Sequence, residues 1–174
     1  PSDTLKREGL GTPVAYTGMS WSGFRPSDDA CEYGYFIPAN LFAAVMLECF
    51  APVAEKLGHA ELGARARRLA AEIRRGIEKF GLVKTKEFGE IYAYETDGMG
   101  HYRLMDDANI PSLLSLPYLG ICRADDPLYQ RTRAFVLSRQ NPYYFEGSAA
   151  KGVGSPHTPE NFIWPIALCV QGLT

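Results

Sequence analysis

The most regular hydrophobic pattern in the chain lies at residues 61–81, which read ELGARARRLAAEIRRGIEKFG. Apolar residues recur there every three or four positions, at Leu62, Ala66, Leu69, Ile73, Ile77 and Phe80. This spacing predicts one apolar stripe on an α-helix that Gly81 ends. Arginines and glutamates alternate between the apolar positions, which favours a solvated outer face stabilised by i,i+4 ion pairs over a basic binding surface.

Residues 39–58 are apolar on nearly every side, which predicts a buried helix with Pro38 in its first turn and Gly58 at its end. In residues 90–104, EIYAYETDGMGHYRL, aromatic residues alternate with other residues until Asp97-Gly98 interrupts them. Such an alternation around an Asp-Gly pair predicts a small β-hairpin.

Three further helices are expected. The first is a short apolar helix within residues 106–120, and the second is an amphipathic helix capped by Asp126 with Pro127 in its first turn. The third is expected to begin at Thr158 and Pro159 and to run to the end of the chain. Buried helices that alternate with amphipathic ones predict an all-α fold of the α/α toroid type. The chain is long enough for only about half the helices of a six-hairpin toroid, so an incomplete portion of that fold is expected.

Composition narrows the classes of function. A chain of 174 residues with 46% hydrophobic residues is enough for one domain with a core. A net charge of −2 and a pI near 6.0 lack the basic footprint of a nucleic-acid partner. The longest apolar runs, at 41–47 and 162–170, are shorter than the roughly 20 residues of a membrane span, so no membrane partner is predicted. The opening residues show no leader peptide; a cytoplasmic localisation is favoured, and the oligomeric state is left open.

The four cysteines form no CxxC pair and the three histidines show no HxxH or HExxH spacing. These patterns predict reduced, structural cysteines, and they predict neither a metal site nor another cofactor.

Chemically dense loops are expected at TGMSWSGFRPSDDA (17–30), HYRLMDDAN (101–109), SRQNPYYFEG (138–147) and KGVGSPHTPEN (151–161). Aromatic faces among carboxylates, amides and an arginine suit a carbohydrate ligand. The alternative is structural, since the aspartates at 28–29 and 106–107 would serve as helix caps and the aromatics at 143–145 as core.

Taken together, these loop segments, with SLLSLPYLG (112–120) and the last helix, resemble glycoside hydrolase family 125, the exo-α-1,6-mannosidases. The resemblance implies an (α/α)6 barrel that removes terminal mannose with inversion and without a metal, as in N-glycan degradation. It implies that residues 1–174 are part of one catalytic domain, with N-terminal helices and an extreme C-terminal segment outside them. A mannose-containing oligosaccharide is the implied partner.

The resemblance places the catalytic proton donor in RPSDDA, as Asp28 or Asp29, and Asp28 is favoured. Adjacent residues reach one face of the sugar only, whereas an inverting enzyme needs its base on the other face. The implied base is a glutamate beyond Thr174. Glu146 and Glu160, the loop glutamates near the matching motifs, do not occupy its place.

Substrate contacts are expected from residues of all four loops, namely Trp21, Arg25, Asp107, Asn109, Arg139, Asn141, Tyr144 and His157. Arg25 is assigned to the substrate or to the second aspartate, because a guanidinium that faced the acid would favour its ionised form. Two alternatives stay open, an inactive sugar-binding fragment and a sugar epimerase on the same toroid. The isolated chain is expected to be inactive and to self-associate.

Overall fold

The computed structural model describes residues 4–174, so the first three residues of the predicted domain lie outside the described residues. Two long helices, α1 (Ile37–Lys56) and α2 (Ala60–Phe80), are joined by a short connection into a helical hairpin. They pack against each other more extensively than any other pair of elements. The predicted helices at 39–58 and 61–80 are therefore confirmed, and Gly81 ends the second as expected.

Helix α1 is buried on one face only, contrary to the prediction of a helix covered all round. Ile37, Leu41 and Ala44 are buried, whereas Phe50 and Val53 are exposed. α1 is also long and apolar enough to cross a membrane by length and composition, a property that it shares with core helices of soluble proteins. The absence of a membrane partner stays a prediction.

The apolar stripe of α2 is confirmed at Ala66, Ile73 and Ile77, which are buried. Leu62 and Leu69 are instead exposed, because they line an open groove between α2 and α1.

Two arginines on the solvated face of α2 form ion pairs, but with α1 rather than within their own helix. Arg67 binds Glu55, and Arg74 binds Glu48, each through two nitrogen–oxygen contacts. The charged face thus ties the two helices together.

Three small antiparallel sheets accompany the helices, with strand orders β1-β4-β5, β2-β3 and β6-β7. Their strands are β1 (Tyr35–Phe36), β2 (Leu82–Thr85), β3 (Gly89–Tyr92), β4 (Glu95–Thr96), β5 (Tyr102–Arg103), β6 (Tyr144–Glu146) and β7 (Lys151–Val153). Strands β4 and β5 form the hairpin predicted around Asp97-Gly98. Gly98 has a φ of +75°, and a Cβ there would lie 2.4 Å from Thr17 Cγ2, so the turn requires glycine.

Helix α3 (Pro127–Val136) confirms the predicted cap, because the Asp126 carboxylate accepts hydrogen bonds from the N–H groups of Leu128 and Tyr129. Helix α4 (Pro165–Leu173) is the last element.

Two helix predictions are wrong. Residues 106–120 form turns, in which the Asp106 carboxylate accepts the N–H groups of Leu113 and Leu114 and stabilises a compact loop. The last helix begins at Pro165, not at Thr158. The Thr158 hydroxyl donates to the Ser155 carbonyl instead of accepting from a helical N–H, so it holds a turn.

The described chain is therefore helix-rich with three small sheets, where the sequence predicted an all-α portion with one hairpin. The (α/α)6 toroid stays a prediction. A core joins the start of α1 to the central sheet, with the rings of Phe36 and Tyr94 packed edge to face at 4.8 Å. Because β4 runs through this core, its residue Glu95 is fully buried.

Candidate active site

Residues 24–30, here called the aspartate loop, form a closed turn at the start of the chemically dense region. Phe24 and Ala30 pair as an isolated antiparallel bridge. Within it, the Arg25 N–H donates to the Asp29 carbonyl at 2.9 Å, and the Asp28 N–H donates to the Arg25 carbonyl at 3.0 Å. These bonds fix the backbone on both sides of Asp28 and Asp29.

Asp28 lies at the tip of this loop with its side chain exposed. Its φ of +66° places it in the left-handed region, which aspartate tolerates better than most residues but which still costs free energy. No hydrogen bond reaches its carboxylate from any residue that the structure describes. Asp28 is therefore the aspartate of the pair that is free to meet a ligand.

Asp29 is buried, with 1% of its surface exposed. The Ser27 hydroxyl donates to its Oδ2 at 3.0 Å, and His157 Nδ1 lies 3.3 Å from its Oδ1. The predicted site residues Asp29 and His157 are thus brought together from opposite ends of the chain. Their contact joins the aspartate loop to the loop that precedes α4.

Arg25 is also buried, and its guanidinium Nε donates to Glu95 Oε1 at 2.6 Å. The guanidinium lies over the Tyr94 ring, 5.6 Å from its centre. Burial by itself lowers the pKa of Arg25, but the hydrogen bond and charge of Glu95 outweigh it and raise that pKa above its ordinary value. The arginine pairs with a glutamate that the sequence analysis missed, and its contact with substrate stays a prediction.

Asp106 and Asp107, the second pair of aspartates, are fully buried. Burial raises the pKa of Asp106 to about 8, although the N–H groups of Leu113 and Leu114 pull it down. Asp107 Oδ1 accepts both the N–H and the side-chain amide of Asn109, at 3.0 and 2.7 Å. Asp107 Oδ2 is buried, and none of the described residues gives it a hydrogen bond.

Ser155 connects the two aspartate pairs. Its hydroxyl oxygen accepts from the Asn109 side-chain amide at 3.4 Å and from the His157 N–H at 3.2 Å. A continuous chain of contacts therefore runs from Asp107 through Asn109, Ser155 and His157 to Asp29. Sequence reasoning missed Ser155, although its place in SPHTP, beside His157, was a signal.

The remaining predicted contact residues are hydrogen-bonded to other protein groups or lie apart from this chain of contacts. Asn141 is buried and bonds the N–H groups of Asp106 and Tyr143 and the Val136 carbonyl. The exposed Arg139 pairs with Glu146 Oε2 at 2.7 Å, and this hydrogen bond lowers the pKa of Glu146. Their roles as sugar ligands stay predictions.

Two aromatic residues of the predicted site are partly exposed. Tyr144 is half-buried in β6. The Trp21 ring lies flush against the backbone, because a Cβ at Gly34 would lie 2.1 Å from the Trp21 Nε1 atom. That glycine lets the indole lie against the backbone just before β1, while almost half of the surface of Trp21 is exposed to solvent.

A cleft of about 320 Å³ opens beside the aspartate loop. Its lining includes Arg25, Glu32, Arg103 and Tyr143. Arg103 Nη1 and Glu32 Oε2 form an ion pair 3.2 Å apart. No cluster of three or more histidine, cysteine, aspartate or glutamate side chains within residues 4–174 has the arrangement of a metal site.

The arrangement places an exposed carboxyl group, with no hydrogen-bond partner among residues 4–174, at Asp28 and a fixed carboxylate at Asp29. Two further loops supply hydrogen-bonding groups, and a carbohydrate ligand stays a prediction. An exposed carboxyl group beside fixed polar partners can transfer a proton to a ligand oxygen.

Comparison with known proteins matches residues 1–174 to the family described as metal-independent alpha-mannosidase (GH125). The meiotically up-regulated gene 157 protein of Schizosaccharomyces pombe is 46% identical over 175 residues, which cover 99% of this chain and 34% of that protein.

A solved structure from Streptococcus pneumoniae superposes with a TM-score of 0.95 at 48% identity, covering 98% of this chain and 41% of the other. It belongs to a new family of metal-independent alpha mannosidases and is a non-productive substrate complex with alpha-1,6-mannobiose. The present chain thus spans less than half the length of either relative. Because the family match covers every residue, the chain belongs to glycoside hydrolase family 125, the metal-independent α-mannosidases.

Proposed function

We propose that the full-length protein containing these residues removes terminal, non-reducing α-1,6-linked mannose from oligosaccharides by an inverting mechanism. The observation that carries the proposal is the aspartate loop, in which Asp28 is exposed with no side-chain partner among the described residues, while Asp29 is buried and fixed. The pneumococcal relative, solved with alpha-1,6-mannobiose, supports the linkage.

In this mechanism Asp28 donates its proton to the glycosidic oxygen as the bond to the sugar breaks. No residue in the described part of the chain hydrogen-bonds this carboxyl group, so it is available to the leaving oxygen. Asp29 is held by Ser27 and His157, so it orients the loop or binds a sugar hydroxyl.

The base must activate a water molecule on the opposite face of the sugar, with its carboxylate about 6.5 to 9.5 Å from the acid. Asp29 follows Asp28 directly and belongs to the same loop, so it does not meet this requirement. Glu146 is bound by Arg139 and Lys151. As the resemblance to the family implies, we assign the base to a glutamate beyond Thr174.

Proton NMR of α-1,6-mannobiose hydrolysis by the full-length protein tests the proposal. An inverting mannosidase releases β-mannose first, and the α anomer grows in later by mutarotation. Immediate release of α-mannose would contradict inversion. Formation of a C2 epimer would indicate an epimerase, and an unchanged disaccharide that nevertheless binds would indicate a sugar-binding protein.

A further inference from the structure

Glu95 is a fully buried carboxylate that has no role in the mechanism proposed above. Strand β4 places it between β1 and β5, opposite Phe36 and Arg103. Burying a carboxylate costs free energy unless hydrogen bonds and an opposite charge compensate for the hydration that it loses. Glu95 has both: Oε1 accepts from Arg25 Nε at 2.6 Å, and Oε2 accepts from the N–H groups of Glu32 and Tyr33 at 2.9 and 3.0 Å.

These partners lie on the two sides of the aspartate loop. Arg25 is near its start, and Glu32 and Tyr33 follow shortly after its end. Between them, the Phe24–Ala30 bridge and the bonds described above close the turn. One carboxylate in the core therefore fixes both ends of the segment that carries Asp28 and Asp29.

Glu95 also neutralises the cation closest in sequence to the two aspartates. The groups that face the Arg25 guanidinium are Glu95 and the Tyr94 ring from the central sheet and Cys31 from its own segment. Burial together with Glu95 raises the pKa of the Cys31 thiol to about 12, so this thiol supplies no negative charge near neutral pH. On the aspartate side, His157 faces Asp29 from the loop before α4. Without Glu95, Arg25 would lack its carboxylate partner.

We propose that Glu95 is a positioning residue for the proton donor: through its hydrogen bonds to Arg25, Glu32 and Tyr33 it fixes the aspartate loop that carries Asp28. This inference rests on the proposed function, because it assumes that Asp28 is the acid.

The test is Glu95→Gln in the full-length protein, which keeps the shape and removes the charge. We expect kcat/KM on α-1,6-mannobiose to fall about 10- to 100-fold, with a much smaller fall on a dinitrophenyl α-mannoside, whose leaving group needs little protonation.

The matched control is Glu48→Gln, which removes the carboxylate of the Arg74–Glu48 pair on the solvated face of α1 and α2. It should leave both rates unchanged. The double variant Arg25→Gln/Glu95→Gln, which removes both charges, should show the same selective loss on mannobiose.

Equal losses of Glu95→Gln on both substrates would overturn the inference, because a merely structural role predicts that result. Wild-type rates would overturn it as well. If circular dichroism shows that the single variant does not fold, the double variant decides by the same comparison of substrates, since it leaves no buried charge unpaired. An inactive wild-type protein would refute the proposed function itself, whereas an active one with an unaffected Glu95→Gln variant refutes only the role of Glu95.

Discussion

Asp28 and Asp29 are neighbours in the chain, yet their carboxylates lie in opposite environments. The left-handed backbone at Asp28, with φ of +66°, turns the chain so that the first side chain is exposed and the second is buried. Asp29 is held by Ser27 and His157, whereas the Asp28 carboxylate has no hydrogen-bond partner within the described part of the chain. This division assigns positioning to Asp29 and proton donation to Asp28 in the mechanism proposed above.

Arg25→Lys in the full-length protein should impair substrate binding although the charge is kept. The guanidinium bonds Glu95 through Nε while it lies over Tyr94 and lines the adjacent cleft, and a lysine ammonium, as a single point donor, does not reproduce this geometry. If Arg25 also bonds the sugar, as predicted, the misplaced ammonium loses a hydrogen bond to a charged group worth about 1.5 to 3 kcal/mol, so KM for α-1,6-mannobiose should rise roughly 10- to 100-fold.

Steady-state kinetics measure this change, and Arg74→Lys in the exposed pair with Glu48 is the control. A wild-type KM in Arg25→Lys would show that only the charge of residue 25 matters.

Asp106 should make stability depend on pH. Its folded pKa of about 8, raised by burial, lies above the unfolded value of about 3.9, so the native state binds the proton more tightly. The stabilisation is complete below about pH 4 and is lost as the pH rises through about 8. The slope reaches at most about 1.4 kcal/mol per pH unit.

Urea unfolding of the full-length protein and of Asp106→Asn, which cannot titrate, isolates this effect. The difference in free energy of unfolding, wild type minus variant, should decrease between about pH 5 and pH 8. A difference that increases over that range would mean that the N–H groups of Leu113 and Leu114 hold Asp106 ionised in the native state.

The chain of residues 1–174 expressed alone should self-associate through the exposed apolar face of α1. Val53 on this face and Leu57 just after the helix are 53% and 71% exposed, and each large apolar side chain left in water forgoes about 1.5 to 3 kcal/mol of burial. Size-exclusion chromatography with light scattering should give a mass above that of a monomer.

Val53→Lys/Leu57→Lys should shift that mass toward the monomer, whereas Leu10→Lys, at an exposed leucine outside the helical hairpin, should not. A monomeric wild-type chain with one cooperative thermal transition would contradict this prediction.

Short-range sequence patterns predicted the helices whose signals lie within a few residues of one another. The stripe at Ala66, Ile73 and Ile77 predicted α2, and the Asp126 side chain with Pro127 predicted the start of α3. The same reasoning failed at Thr158, because a cap-like sequence there serves a turn.

Long-range contacts could not be predicted from one sequence. Glu95 lies 70 residues from Arg25, and nothing in the alternation around it distinguishes a buried ion pair from a solvated glutamate. The contact between Asp29 and His157 spans 128 residues and depends on how two loops pack. Family resemblance indicated which loops converge, but the hydrogen bonds between those loops could be identified only in the folded structure.

The most direct test of the account compares Asp28→Ala and Asp29→Ala in the full-length protein on two substrates. With α-1,6-mannobiose, Asp28→Ala should lower kcat by about 10²- to 10⁴-fold, the usual contribution of a general acid. With a dinitrophenyl α-mannoside the loss should be about tenfold or less, because that leaving group departs without a proton. Asp29→Ala should reduce both rates by a similar factor. Leaving-group dependence in Asp29→Ala and its absence in Asp28→Ala would contradict the assignment of the acid.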